Sequence, residues 1–192
     1  RLTCTTVAVA GRTMTQTTRR DREQDTVWTT GHLLKNTDDL KAYLNIPDEA
    51  FAETVDVSPL EAEEAELGDR GIVMVDTEDP LCAAAALLSM EDYTIVALTE
   101  PALFHQLLEQ QARRIHERTR QVSRLLPRRN WRVYGPEYAT PPYLPPRLFE
   151  EYVVRYVDPM VRMIQDNDRF VRNNAHGRLQ DVLNRIVARV AD

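Results

Sequence analysis

The residues of this chain best suited to chemistry stand behind three short apolar runs. Behind "GIVMV" come Asp76, Glu78 and Asp79; "WRVYG" carries Tyr134 and leads to Glu137 and Tyr138; behind "RFVRN" come Asn174 and His176. An imidazole titrates near neutrality, so it can move a proton or bind a metal. His176 is therefore a candidate metal ligand or general acid–base; its plainer role is to bond loop backbone and start the next helix. Glu137 is a candidate proton acceptor or a partner for His176; otherwise it is a solvated loop acid. Asp76, Glu78 and Asp79 could hold a cation or a cationic group, although a charged loop needs no ligand. Tyr134 and Tyr138 offer flat faces for a substrate, and equally for packing.

What positions these residues is a repeated order of elements. "GIVMV" (71–75) is a continuous apolar run bounded by Gly71 and Asp76, as expected of a strand buried on both faces. A helical stretch through "LCAAAALLSM", continuing toward "EDYTIVAL", follows it. Then comes a long amphipathic helix from Pro101 to Leu126, with Thr99 as its cap. The second strand is 131–135. A proline-rich loop leads to a helix from Arg147 that Pro159 should kink. The third strand is 169–173, then a loop over 174–177, with Gly177 suited to its tight turn, and a helix over 178–190. Strands alternating with helices imply a parallel sheet. In such folds ligands gather at the carboxyl ends of the strands, where the polar residues named above fall.

The first 70 residues read differently. "TTVAVA" and "TMTQTT" flank Gly11–Arg12 as a β-hairpin, and "TVWTT" adds a third strand. Asn36–Thr37 caps a short helix, "DDLKAYL", that stops before Pro47. An acidic stretch follows, with a helical piece around "PLEAEEAEL". The chain thus divides into an N-terminal hairpin and helical extension over 1–70 and a strand–helix region over 71–192.

A net charge of −6 argues against a general nucleic-acid binder, which carries a basic face. No segment is long and apolar enough to span a bilayer, so no membrane partner is expected. Cys4 and Cys82 stand far apart, without metal-site spacing, which favours a reducing cytoplasm over a disulfide framework. His105 and His116, on the long helix, read as surface residues, and His32 lies near the hairpin end with no partner in sequence.

The segment "YGPEYATPPYLPPRLFEEYVVRYVDPMVRMI", followed by a strand and "HGRLQDVL", resembles the uroporphyrinogen decarboxylase superfamily. "DTEDPLCAAAALLSMEDYTIVALTEPALFHQLLEQ" is similar to an earlier strand-and-helix unit of that family. The resemblance implies a (β/α)8 (TIM) barrel and an enzyme acting on a small molecule. One branch decarboxylates a porphyrin precursor. Another transfers methyl groups with zinc and with a corrinoid borne by a partner protein. Ala86 stands where the decarboxylases have a substrate-contacting tyrosine, which tilts the expectation to methyl transfer. In the methyltransferases, Zn²⁺ activates a thiol from a His-x-Cys motif, and the matching positions are Asn174 and His176. His176 is then the expected zinc ligand, Glu137 its catalytic assistant, and Asn174, Tyr134, Tyr138 and Asp76 the substrate contacts.

A complete (β/α)8 barrel takes ~250 residues. The expected fold is therefore α/β, a partial barrel-like parallel sheet with an N-terminal hairpin region. Three readings of the shortfall stay open: a piece of a longer protein, which is favoured; a homodimer that covers its own sheet edges; or a degenerate relative without catalysis that survives by self-association.

Overall fold

The computed structural model describes residues 1–167, 170–176 and 178–184. Strands β1 (Leu2–Val9) and β2 (Arg12–Arg20) form the expected hairpin, in register from Val9 opposite Arg12 to Leu2 opposite Arg19. Its two-residue turn, Ala10–Gly11, has positive φ at both positions, 50° and 75°. That geometry matches the natural twist of paired strands. Strand β3 (Val27–Gly31) pairs antiparallel with β2, with a register shift at Thr17/Thr18. Most of this sheet is exposed, but Met14 is buried in the core, with Val7 and Val9 against it.

Helix α1 (Thr37–Tyr43) is capped by Asn36, whose side-chain oxygen accepts from the Asp39 amide at 2.9 Å. Asp39 in turn accepts from Arg12 at 2.8 and 2.9 Å, which ties the hairpin to the helix. A 3₁₀ turn at Asp48–Phe51 and helix α2 (Ser58–Leu67) follow, the latter on the predicted acidic stretch.

The second sheet is parallel, in the order β4 (Met74–Glu78), β5 (Asn130–Tyr134), β6 (Val171–Asn174). β4 begins three residues later than the sequence suggests. Ile72 is outside it and 79% exposed. The strand is not buried on both faces. Val75 and Thr77 point into the core while Met74 and Asp76 point out, and in β5 Trp131 and Val133 alternate with Arg132 and Tyr134. The apolar run marked a strand, but pairing with Trp131 and Val133 set its register. Asp76 therefore lies within the strand rather than behind it.

Between β4 and β5 the chain forms three helices. Helix α3 (Pro80–Ala85) stops early, and α4 (Met90–Thr99) starts afresh on Ser89. The Ser89 hydroxyl accepts from the Asp92 amide at 3.0 Å and donates to the Asp92 carboxylate at 2.6 Å. This reciprocal cap breaks what reads as one helix. Helix α5 (Pro101–Leu125) follows Glu100, not a Thr99 cap; the Thr99 hydroxyl donates back to Ile95 O within α4. After β5, a 3₁₀ turn at Pro146–Leu148 and a π turn at Glu150–Val154 precede α6 (Arg155–Gln165), which contains Pro159. The irregularity falls in the π turn ahead of the proline. Phe104, Leu107 and Ile115 of α5 join Tyr152, Met160 and Ile164 in one core with Trp131 and Val133. Beyond β6, Leu179–Asp181 form a 3₁₀ turn. Gly177 and residues 185–190 of the expected helix lie outside the described residues.

Candidate functional site

Parallel register fixes the geometry of the sheet's carboxyl end. Glu78, Tyr134 and Asn174 are neighbours in one row across β4, β5 and β6. The chain leaves that row through Asp79, Gly135 and Ala175.

Asp79 is the centre of this end. Its amide donates to Tyr134 O at 2.8 Å, fastening β4 to β5. Its Oδ1 accepts from the Cys82 amide at 2.6 Å, capping α3. The residue is 0% exposed, and Oδ2 has no partner among the described residues. Burial, then the charges of Glu137 and Glu78, push its carboxyl up to about 8. Glu137 stands in the 3₁₀ turn Pro136–Ala139, half-buried, with its Oε2 out of solvent and also unpartnered among the described residues. Two carboxyls thus share a partly desolvated end of the sheet, where like charges oppose full ionisation.

Gly135 makes the approach possible. Its φ is +118°, and an added Cβ would lie 2.8 Å from Asp79 Oδ1 and inside the Cys82 side chain. Cys82 is pushed up to about 12 by burial and by the Asp79 carboxylate, so it stays a thiol. Glu78 is different. Burial pulls it upward, but a 2.7 Å bond from Arg118 and that guanidinium's charge win, and its carboxyl falls below the usual range. Its other oxygen accepts from the Tyr134 hydroxyl at 3.3 Å. Burial and Glu78 raise Tyr134 to about 12, so it remains a neutral donor. The Tyr138 ring packs edge-on to Tyr93 at 6.1 Å, and the Tyr93 hydroxyl donates to Tyr138 O at 2.8 Å.

The expected site residues therefore fall into three groups. Glu137, Tyr134 and Tyr138 gather with Asp79 and Glu78 at the tips of β4 and β5. Asn174 and His176 form their own pair at the end of β6, 3.1 Å apart, with His176 exposed. Asp76 lies back on the open face of the sheet, in an exposed ion pair with Arg132 of the next strand. Among the described residues, no three His, Cys, Asp or Glu side chains come together as metal ligands. His176 with an amide neighbour does not make a zinc donor set.

Sequence reading placed Asp79 in an acidic loop and left Cys82 as a lone thiol. The pattern Asp–Pro at a helix start signals a cap at Asp79. Nothing local signals that Gly135 and Glu137 close over it. His105 and His116 also depart from expectation. His105 Nδ1 lies 2.9 Å from the Tyr156 hydroxyl, and His116 Nε2 donates to Tyr156 O at 2.8 Å, so both join α5 to α6.

No protein-family model, curated protein or solved structure matches this chain.

Proposed function

We propose that this chain forms part of a small-molecule enzyme of the uroporphyrinogen decarboxylase superfamily, and that the Asp79–Glu137 pair holds the proton it transfers. The carrying observation is the pair itself: two carboxyls at the carboxyl end of a parallel sheet, each with a buried oxygen lacking a partner among the described residues. The partial-barrel reading is supported by the parallel order of β4, β5 and β6, with helices between β4 and β5 and between β5 and β6.

Decarboxylation is the reaction this arrangement supports best. The bond to the departing CO₂ breaks, its electron pair stays on carbon, and that carbon takes a proton. Glu137, half-buried, is placed to deliver it; Asp79, fully buried behind, resupplies it. Asp79 is thus a positioning and proton-holding residue, and Glu137 the catalytic one. A neutral carboxylic acid near pH 7 is the chemical requirement, and Asp79, pushed up to about 8 by burial, is the group that holds the proton.

Methyl transfer to a small thiol is the second reading; it rests on the resemblance, with Asn174 and His176 at the matching positions but without the motif's thiolate. In that reading Glu137 takes the thiol proton and the methyl donor is on a corrinoid protein. A cytoplasmic setting suits the two unpaired cysteines, Cys4 and Cys82.

The test is to supply the protein with a carboxylated porphyrinogen, and separately with a methylcorrinoid and a small thiol. CO₂ release and thioether formation are followed. Glu137→Gln should lower the active reaction by about 10²–10⁴-fold, the usual share of a general acid–base group. Turnover unchanged in Glu137→Gln, or turnover with neither pair of substrates, contradicts the proposal.

A further inference from the structure

A second site lies on the other side of α5, independent of the reaction proposed above. A cavity of about 240 Å³ opens between α5 and residues 48–55. It is smaller than the ~300–1,000 Å³ of sites for drug-sized ligands, so its occupant is a small metabolite. One wall is apolar: Phe51, Ala52 and Val55. The other carries the guanidiniums of Arg113, Arg114 and Arg118.

These arginines are not equally satisfied. Arg113 makes two bonds to Asp48, at 2.7 and 3.1 Å. Arg118 is held by Glu78 at 2.7 Å. Arg114 and Arg118, four residues apart, share a helix face where like charges repel. Yet among the described residues Arg114 makes one side-chain hydrogen bond, at 3.2 Å to Gln111. The carboxylate it meets, Glu53, stays at 3.8 Å, beyond hydrogen-bond distance, on a side chain 52% exposed. The Arg114 Nε has no partner among the described residues, and its guanidinium lies 4.8 Å above the Phe51 ring. A planar cation over an aromatic face, with its donors underused and an apolar wall beside it, suits a planar anion with an apolar body.

Charge sets the class further. Asp48, Glu53 and Glu117 also line the cavity, so a dianion such as phosphate meets three like charges that a monoanion tolerates better. We propose that this cavity binds a small monocarboxylate, its carboxylate on Arg114 in place of Glu53 and its apolar part against Phe51 and Val55.

Calorimetric titration with benzoate tests this, with benzyl alcohol and inorganic phosphate as comparison ligands at low ionic strength. Benzoate should saturate the wild type with a Kd of ~1 mM or tighter, and more tightly than either comparison ligand. Removing the competing charge in Glu53→Gln should tighten benzoate by about threefold, a gain that misfolding cannot produce. Arg114→Gln, checked for native circular dichroism, should weaken it by about tenfold. Absence of benzoate binding, equal binding of benzyl alcohol, tighter binding of phosphate, or no change in Glu53→Gln would each overturn the proposal.

Discussion

Asp79 divides its work between its two oxygens. Oδ1 caps α3 through the Cys82 amide, and Oδ2 is buried and unpartnered among the described residues. The cap was readable from "EDPLC", because aspartate before proline at a helix start has a local cause. The burial was not readable, because it depends on Gly135, more than fifty residues away in sequence. Gly135 is the residue on which the geometry turns. At φ +118° any side chain is strained, and a Cβ there would strike Asp79 and Cys82. Gly135→Ala should therefore destabilise the protein by roughly 3 kcal/mol or more, measured as a fall in urea midpoint without change in slope. A loss under ~1 kcal/mol would mean that the two loops are not pressed together.

At the scale of elements, the legible parts were those with local signals. The hairpin turn, the Asn36 cap, the long stripe of α5 and the strand at Trp131 each announce themselves within a few residues. β4 was displaced by three residues because an apolar run marks a strand without fixing its register; only its partner strand does that. The α5–α6 contact was hidden for another reason. His105 and His116 sit among polar residues in sequence, and their partner, Tyr156, comes from α6. Burial, more than the nearby Arg120, lowers His116 below the ordinary imidazole range despite its bond to Tyr156 O. A folded pKa below the unfolded value means that the stability is present above pH ~6.5 and is lost as pH falls through the folded value. His116→Gln keeps a donor for that carbonyl and does not titrate. Between pH 7 and pH 5 the wild type should lose more stability than this variant in urea unfolding. Equal losses would show that protonation of His116 is not linked to unfolding.

At the scale of the whole molecule, sequence reasoning recovered the parallel sheet and the direction of its strands, and with them the end at which the polar residues collect. It could not recover which of them meet. Asp76, Glu137 and His176 stand behind or near successive strands in sequence, yet they end in an ion pair on the sheet face, a partly buried group of carboxyls and an exposed amide–imidazole pair. Side-chain direction in a strand alternates with every residue, so small errors of register decide such outcomes.

The central claim is that Asp79 stays protonated near neutrality, and carbon-13 titration of its carboxyl measures this directly. The wild type should show an apparent midpoint raised to about 8. Glu137→Gln, which removes the neighbouring charge, should lower it. A folded value above the unfolded one of ~3.9 also means that Asp79's contribution to stability is full below that pH and is lost as pH rises through the folded value. Asp79→Asn, which keeps the cap oxygen, should remove that loss. An Asp79 carboxyl that ionises near pH 4 in the folded protein, unmoved by Glu137→Gln, would contradict the account.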